Sequence, residues 1–218
     1  VTIGTANLAD GSTFPFGSPA TAAGKATYVG SRYQQIWSSD VFAEDRIRIT
    51  AISFELFVDP NSSFVDHFRP ANYAVSFSTS KRAVNGLDND ALDSNLGAGN
   101  QLFQSRRLSG PVSSNGQPSP TLRFEGDFEY APKDGNLLMD IRITDLPVDF
   151  WYLLAGNSTG QPVAPARFKD SRTSGGQFSF AGDFTEPGLN AGLVATFEYA
   201  PITGNTSGNG PAPIPLPP

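Results

Sequence analysis

Apolar and polar residues alternate along much of this chain with a period of two, which is typical of β-strands buried on one face. Ile47 and Ile49 alternate with arginines, whereas Ile52 and Phe54 continue the apolar positions on the opposite parity. The phase of the pattern therefore slips once, near residues 50–51. A single slip of this kind predicts a β-bulge, in which one strand carries an extra residue.

The same alternation predicts further strands. Apolar residues share one parity in three other segments, at 73–77, 122–128 and 137–143. Shorter apolar segments predict strands at 33–37, 102–108, 150–154, 177–181 and 193–199, and one helical turn is expected at 89–96. Turn signals separate the segments, as in Pro132-Lys133-Asp134-Gly135. We expect the best-patterned apolar residues to form the core: Ile49, Phe54, Val75, Phe77, Met139 and Ile141.

About ten short strands without a helical stripe indicate an all-β fold, an antiparallel β-sandwich or jelly roll. The predicted sandwich domain covers residues 1–200. Residues 201–218 are rich in Gly and Asn and then in Pro, which is typical of a flexible hinge followed by an extended tail. Because such a tail cannot form part of a core, residues 204–218 are predicted to extend away from their own domain and to dock on a neighbouring copy.

Composition and charge narrow the classes of partner. The 218 residues suffice for one core without a covalent staple. A net charge of -6 and an isoelectric point near 4.7 argue against nucleic acid as a partner. The sequence contains no apolar run long enough to span a membrane, and no Cys for a disulfide or a thiolate metal site. A start at Val1 rather than at Met is expected of a mature form whose signal peptide has been removed.

No combination of acid, base and nucleophile emerges from the sequence. His67 is the one imidazole, and the adjacent Asp66 would point to the opposite face of a strand, so a loop or surface histidine is favoured over a general base. The G-x-S-x-G elbow of serine hydrolases is absent. A glycosidase needs two carboxyl groups about 5–10 Å apart. The strand acids that could supply them have a simpler place on the solvent face: Glu55, Glu125, Asp127, Glu129 and Asp140. We therefore expect no enzyme and no catalytic residue.

Oxygen ligands are concentrated in one stretch, at Asp88, Asp90, Asp93 and Asn95. Such ligands suit Ca²⁺, but their spacing departs from the loop pattern of an EF-hand. Asp and Asn also cap helices and stabilise turns without a metal. A capped loop is the favoured interpretation and a calcium site is the alternative. We predict no metal site and no cofactor.

Aromatic residues offer a different kind of binding surface, a platform on which sugar rings stack. The candidates are Tyr28, Tyr33, Trp37, Trp151 and Tyr152. Aromatic residues in strands more often belong to the core, and that interpretation is favoured here. Residues 150–152 are the best candidates for exposure, because three consecutive bulky side chains cannot all face one core.

Four segments together resemble a known family. They are Phe14-Pro15-Phe16-Gly17, Arg32-Tyr33-Gln34-Gln35-Ile36-Trp37, the run from Ala83-Val84-Asn85-Gly86-Leu87-Asp88 to Leu92-Asp93-Ser94-Asn95-Leu96-Gly97, and Gly135-Asn136-Leu137-Leu138-Met139-Asp140-Ile141. They resemble the ectodomain common among PEP-CTERM proteins, which are exported by Gram-negative bacteria. Residues 213–218, with the sequence PIPLPP, are similar to the motif that opens the C-terminal sorting signal of that family, in its VPLPA-like variant. In the family an exosortase removes the segments that follow this motif.

The resemblance implies where the protein is located, but it implies no catalytic activity. Members of that family are exported and associate with extracellular polysaccharide or biofilm, and no catalytic residue can be carried over from them. We therefore expect an extracellular or cell-surface structural protein of the biofilm matrix, which assembles with copies of itself into a filament or layer through extended ends. The alternative is a non-catalytic carbohydrate-binding module that tethers exopolysaccharide. Neither function involves nucleic acid.

Overall fold

The computed structural model describes residues 1–3, 30–55, 71–84, 86–88, 91–109, 121–145, 167–170, 179–181 and 193–203. These residues form ten strands and three short 3-10 turns, at Ser39–Val41, Leu92–Asn95 and Pro132–Asp134. The strands are β1 Thr2–Ile3, β2 Gly30–Trp37, β3 Ile47–Glu55, β4 Ala71–Ser80, β5 Ala98–Leu108, β6 Thr121–Tyr130, β7 Asn136–Thr144, β8 Arg167–Asp170, β9 Ser179–Ala181 and β10 Ala195–Pro201. Among the described residues, none belongs to a helix that could cross a bilayer.

The strands form two antiparallel sheets with jelly-roll topology. Sheet 1 has the order β1-β10-β3-β6, and sheet 2 has the order β5-β4-β7-β2-β8-β9. The strand pairs β1·β10, β2·β7, β3·β6 and β4·β5 are nested along the chain, as in a long hairpin that has been rolled up. The short strands β8 and β9 extend sheet 2 beside β2. The predicted all-β antiparallel sandwich or jelly roll is confirmed.

The core lies between the two sheets. The six residues predicted for it are at most 1% exposed. Aromatic rings join the two layers: Trp37 of sheet 2 meets Phe197 of sheet 1 edge to face at 5.0 Å between ring centroids, and Phe77 lies 5.6 Å from Phe128. Such pairs contribute about 0.5–1.5 kcal/mol each beyond the area that they bury.

The predicted bulge in β3 is also confirmed. Ile49 pairs with Tyr199 of β10 and Ala51 pairs with the adjacent Glu198, so Thr50 is the extra residue of β3. The extra residue lets Ile49 and Ile52 both lie in the core, although they differ in parity. The bulge therefore accounts for the change of parity in the hydrophobic pattern near residues 50–51.

Several elements differ from the prediction or lie beyond the described residues. β8 was not predicted as a strand, whereas the alternation of Val1 and Ile3 with Thr2 predicts the N-terminal strand that is observed as β1. The predicted segment 177–181 is described only as Ser179–Ala181. The helical turn expected at 89–96 is the 3-10 turn Leu92–Asn95. The strand predicted at 150–154 and the tail 204–218 lie outside the described residues. The boundary near residue 200 stays a prediction, and β10 ends at Pro201.

Candidate functional site

The connection between β4 and β5 lies across the outer face of sheet 2. We call its described residues, 81–84, 86–88 and 91–97, the covering loop. It buries a small second apolar cluster, Ile36, Leu87 and Leu138, against which Val84 and Leu96 pack. The loop returns to the sheet so closely that a Cβ atom on Gly97 would lie 1.6 Å from the carbonyl oxygen of Thr79. Only glycine fits at that position without a shift of the backbone.

Beneath the covering loop lies an ion pair that is nearly sealed from water. Arg32 of β2 binds both carboxylate oxygens of Asp140 on β7, with Nε to Oδ1 at 2.6 Å and a terminal nitrogen to Oδ2 at 3.1 Å. The Asp140 side chain is 3% exposed and that of Arg32 is 13% exposed. Gln34 donates to Asp140 at 3.0 Å and to the Leu92 carbonyl oxygen at 2.9 Å, which joins the sheet to the loop.

The covering loop contributes Asp93 and Asn95 to the same group. Asp93 accepts from Arg32 at 2.8 Å and from Arg142 at 3.3 Å. Asn95 is fully buried and donates to Gln34 at 2.9 Å. We refer to these side chains as the arginine–carboxylate network: Arg32, Gln34, Asp93, Asn95, Asp140 and Arg142.

The charges in the network stabilise one another. Burial alone lowers the pKa of Arg32, but the hydrogen bonds and charges of Asp140 and Asp93 outweigh it and raise the pKa above its usual value. Bidentate arginine–carboxylate pairs are the strong form of this interaction. Each buried polar group of the network has a partner, so the arrangement holds the loop in place rather than presenting a reactive group.

The network joins three sequence segments that are far apart along the chain. Strand β2 contains the segment at 32–37, β7 contains most of the one at 135–141, and the covering loop contains the described residues of the run from 83 to 97. These three segments pack into one unit. The fourth segment, at 14–17, lies outside the described residues.

The oxygen-rich stretch at 88–95 forms a capped loop in its described part. Asp88 accepts from the backbone nitrogen of Ala91 at 2.9 Å and from the Ser94 hydroxyl at 3.3 Å. Asn95 accepts from the backbone nitrogen of Asp88 at 2.7 Å. Asp90 lies outside the described residues. Among the described residues, no three His, Cys, Asp or Glu side chains are placed to hold a metal ion together.

The strand acids divide into two kinds. Glu125, Asp127 and Glu129 are exposed on the outer face of sheet 1, as predicted, and each pairs with an arginine. The hydrogen bond from Arg48 lowers the pKa of Glu129. The prediction of a solvent-facing Asp140 is wrong, because the covering loop buries that part of the outer face. The side chain of Glu55 is outside the described structure.

The two described aromatic candidates for a sugar platform lie in the core. Trp37 is 0% exposed and Tyr33 is 1% exposed, so the core interpretation is confirmed for both, and a stacking platform that includes them is wrong. Burial raises the pKa of Tyr33 well above its usual value, although a hydrogen bond with the Leu193 backbone opposes this. His67, Asp66 and the other aromatic candidates lie outside the described residues: Tyr28, Trp151 and Tyr152.

A cleft opens where the edge strands β5 and β6 of the two sheets separate. Farther along, side chains join these strands: Gln104 accepts from the Glu125 backbone at 2.9 Å, and Gln101 donates to the Asp127 carbonyl oxygen at 3.0 Å. Beyond Gln104 the strands part around a space of about 450 Å³, which we call the edge cleft. Its lining residues are Arg106, Arg107, Leu108, Ser109, Thr121, Leu122 and Arg123.

The edge cleft contains a cation without a counterion among the described residues. The Arg106 guanidinium lies 4.5 Å from the ring centroid of Phe124, and its Nε atom is buried without a hydrogen-bond partner in the described structure. Desolvation by burial lowers the pKa of Arg106. The hydrophobic pattern of the sequence does not reveal this site. The signal available in the sequence is the pair Arg106 and Arg107 near the end of β5, followed by Arg123 near the start of β6.

The described residues thus form a jelly-roll β-sandwich with two candidate sites. The first is the arginine–carboxylate network, which holds the covering loop in place, and the second is the edge cleft, which is lined by arginines. No protein-family model, curated protein or solved structure matches the chain.

Proposed function

We propose that this chain is an extracellular structural protein that assembles with copies of itself through its extended ends. The observation that carries the proposal is the position of β1. This strand has only two residues, Thr2 and Ile3, and it pairs with β10, the last described strand along the chain. The start of the chain therefore lies on the edge of sheet 1.

The contacts of β1 are of the kind that copies can exchange. The Val1 amino group donates to the Phe197 carbonyl oxygen at 2.7 Å, and the Phe197 nitrogen donates to the Val1 carbonyl oxygen at 2.7 Å. The Ile3 side chain is buried at 3% exposure. In the sequence, residues 4–29 separate β1 from β2. A neighbouring copy could supply the same backbone bonds and the same anchor, as in strand exchange between protomers.

The proline-rich tail belongs to the same proposal. β10 ends at Pro201, after which Gly204, Gly208 and Gly210 precede the prolines. Proline fixes an extended backbone but removes a donor, so the tail suits a groove better than a strand position. Ile214 and Leu216 are its large apolar anchors, and two anchors make only a modest contact. The tail therefore assists assembly, while the β1 edge provides the main contact.

The proposal is for a non-catalytic, exported protein. Support for a non-catalytic role comes from the strand acids, which are held in ion pairs with arginines. Export and a place in the biofilm matrix rest on the family resemblance. The alternative, a carbohydrate-binding module with a stacking platform, loses Tyr33 and Trp37, which are both buried.

Measuring mass in solution by light scattering, beside electron microscopy of the same sample, tests assembly directly. We expect the full chain to form filaments or layers. An Ile3→Asp variant should remain monomeric, because a charge at this buried position prevents docking of β1 on any copy. Removal of residues 204–218 should weaken assembly without abolishing it. A full chain that stays monomeric at every concentration would overturn the proposal.

A further inference from the structure

We propose that the edge cleft binds the carboxylate group of an acidic sugar, with Arg106 as the principal contact. The inference goes beyond self-assembly and does not depend on it. The cleft lies beside β6, at the opposite edge of sheet 1 from β1. A protein that fails to assemble can still bind through the cleft, and a protein that assembles can fail to bind.

The first argument is electrostatic. A partly desolvated cation without a counterion is unfavourable, and a bound anion relieves that cost. Arg32 avoids this cost, because the carboxylates of Asp140 and Asp93 contact its guanidinium. Arg106 has no such partner among the described residues, and residues 110–120, which join the two edge strands, contain no Asp or Glu. An anion supplied by another molecule would complete this site.

The second argument is geometric. The contact with the Phe124 ring restricts the position of the Arg106 guanidinium, and the planar fork of N–H groups of an arginine matches a carboxylate in a bidentate manner. Arg107 adds a second positive charge to the lining. Arg123 is different, because Glu125 and Glu198 already neutralise it. The cleft thus offers positive charge to a small anion in a chain that is acidic as a whole.

The rest of the lining indicates what carries the carboxylate. Ser109 and Thr121 add hydroxyl groups at exposed positions, whereas Leu108 and Leu122 form an apolar floor. A sugar ring presents hydroxyl groups and C–H faces together, which suits this mixed surface. An acidic peptide has the charge without the ring, so it would leave the floor uncovered.

Titration with digalacturonate, monitored by NMR of the arginine Nε–H groups, tests the proposal on the intact chain. We expect the Arg106 signal to shift and the Arg46 signal to stay in place. Galactobiose, the neutral counterpart, should cause no shift, and a tetra-aspartate peptide at equal carboxylate concentration should cause a much smaller one. No shift of Arg106 with digalacturonate, or an equal shift with either control ligand, would overturn the proposal.

Two matched variants add an independent arm. Arg106→Met keeps an apolar side chain and removes the charge, so affinity measured by calorimetry should fall by about 10-fold or more. Arg46→Met removes the same charge at an exposed ion pair with Glu129, and affinity should stay within about 2-fold. Equal losses in both variants would show a non-specific charge effect and refute the site. Circular dichroism checks that each variant is folded, and the wild-type titration decides the question if either is not.

Discussion

Arg32 and Arg106 are both drawn partly out of water, but only Arg32 has carboxylates beside it in the described structure. Replacing Arg32 should therefore mainly affect folding, whereas replacing Arg106 should mainly affect ligand binding. Loss of Arg32 leaves Asp140 buried with an incomplete set of partners, which destabilises the fold. Loss of the Arg106 charge removes a cation that lacks a partner, which affects binding more than folding.

Arg32→Met should lower the free energy of unfolding by about 3 kcal/mol, because among the described residues the buried charge of Asp140 then keeps Gln34 and the longer contact with Arg142 alone. Urea unfolding measures the change. Arg48→Met is the matched control: its ion pair with Glu129 is about half exposed on both sides, and its loss should change the free energy of unfolding far less. Equal effects of the two substitutions would mean that the network does not lock the loop.

Burial of the Tyr33 hydroxyl should make the free energy of unfolding depend on pH in alkaline solution. Its pKa is raised in the folded state, so above pH of about 10 the unfolded chain loses this proton while the folded chain keeps it. Its contribution is constant below that pH, and stability then falls by about 1.4 kcal/mol per pH unit. Tyr33→Phe should make the fall shallower by that amount in urea unfolding at a series of pH values. Identical slopes for the variant and the wild type would contradict the burial of an un-ionised Tyr33.

At the scale of elements, the covering loop depends on the close approach at Gly97. Gly97→Ala should cost about 1–3 kcal/mol, because the new methyl group would collide with the Thr79 backbone. Hydrogen exchange should also become faster at the Asp88 amide, which Asn95 holds in the native loop.

Gly86→Ala provides the control within the same loop. The nearest neighbours of a Cβ atom at Gly86 lie at 3.3 Å, so a small adjustment accommodates it. Exchange at the Asp88 amide should remain close to the wild-type rate. If Gly86→Ala accelerates exchange as much as Gly97→Ala, the approach to Thr79 is not what fixes the loop.

The alternation of side chains made the strands and the β3 bulge predictable, because period and parity are local properties of the sequence. Asp140 shows the limit of prediction from local alternation. Its parity correctly placed it on the outer face of sheet 2, but its burial depends on the covering loop, which is distant in sequence. β8 carries no alternation long enough to detect in Arg167–Asp170. The edge cleft likewise arises only when β5 and β6, from different sheets, come together.

At the scale of the molecule, the two sides of the sandwich differ. On one side, side chains from β5 satisfy backbone groups of β6, which blocks that edge against pairing with another strand. A Cβ atom on Gly126 would lie 2.4 Å from the Phe103 carbonyl oxygen, so the strands also meet closely there. On the other side, a two-residue strand covers part of the seven-residue β10. We therefore place assembly at the β1 edge and ligand binding at the β5–β6 edge.

Exchange of β1 between copies is the central claim, and disulfide trapping measures it most directly. The chain has no Cys, and the hydroxyl oxygens of Thr2 and Thr196 lie 2.9 Å apart on paired positions. Thr2→Cys and Thr196→Cys are prepared as separate variants, mixed under assembly conditions and oxidised. A double variant with both substitutions confirms that the two positions can form a disulfide.

The account predicts covalent heterodimers on a non-reducing gel, with the linkage between positions 2 and 196 identified by mass spectrometry. The matched control mixes Thr2→Cys with Ser53→Cys: Ser53 pairs with Thr196 from the β3 side and lies about 10 Å from Thr2, beyond the reach of a disulfide. Heterodimers no more abundant than in this control, with an intramolecular disulfide in the double variant, would show that β1 pairs only within its own chain and would contradict the claim.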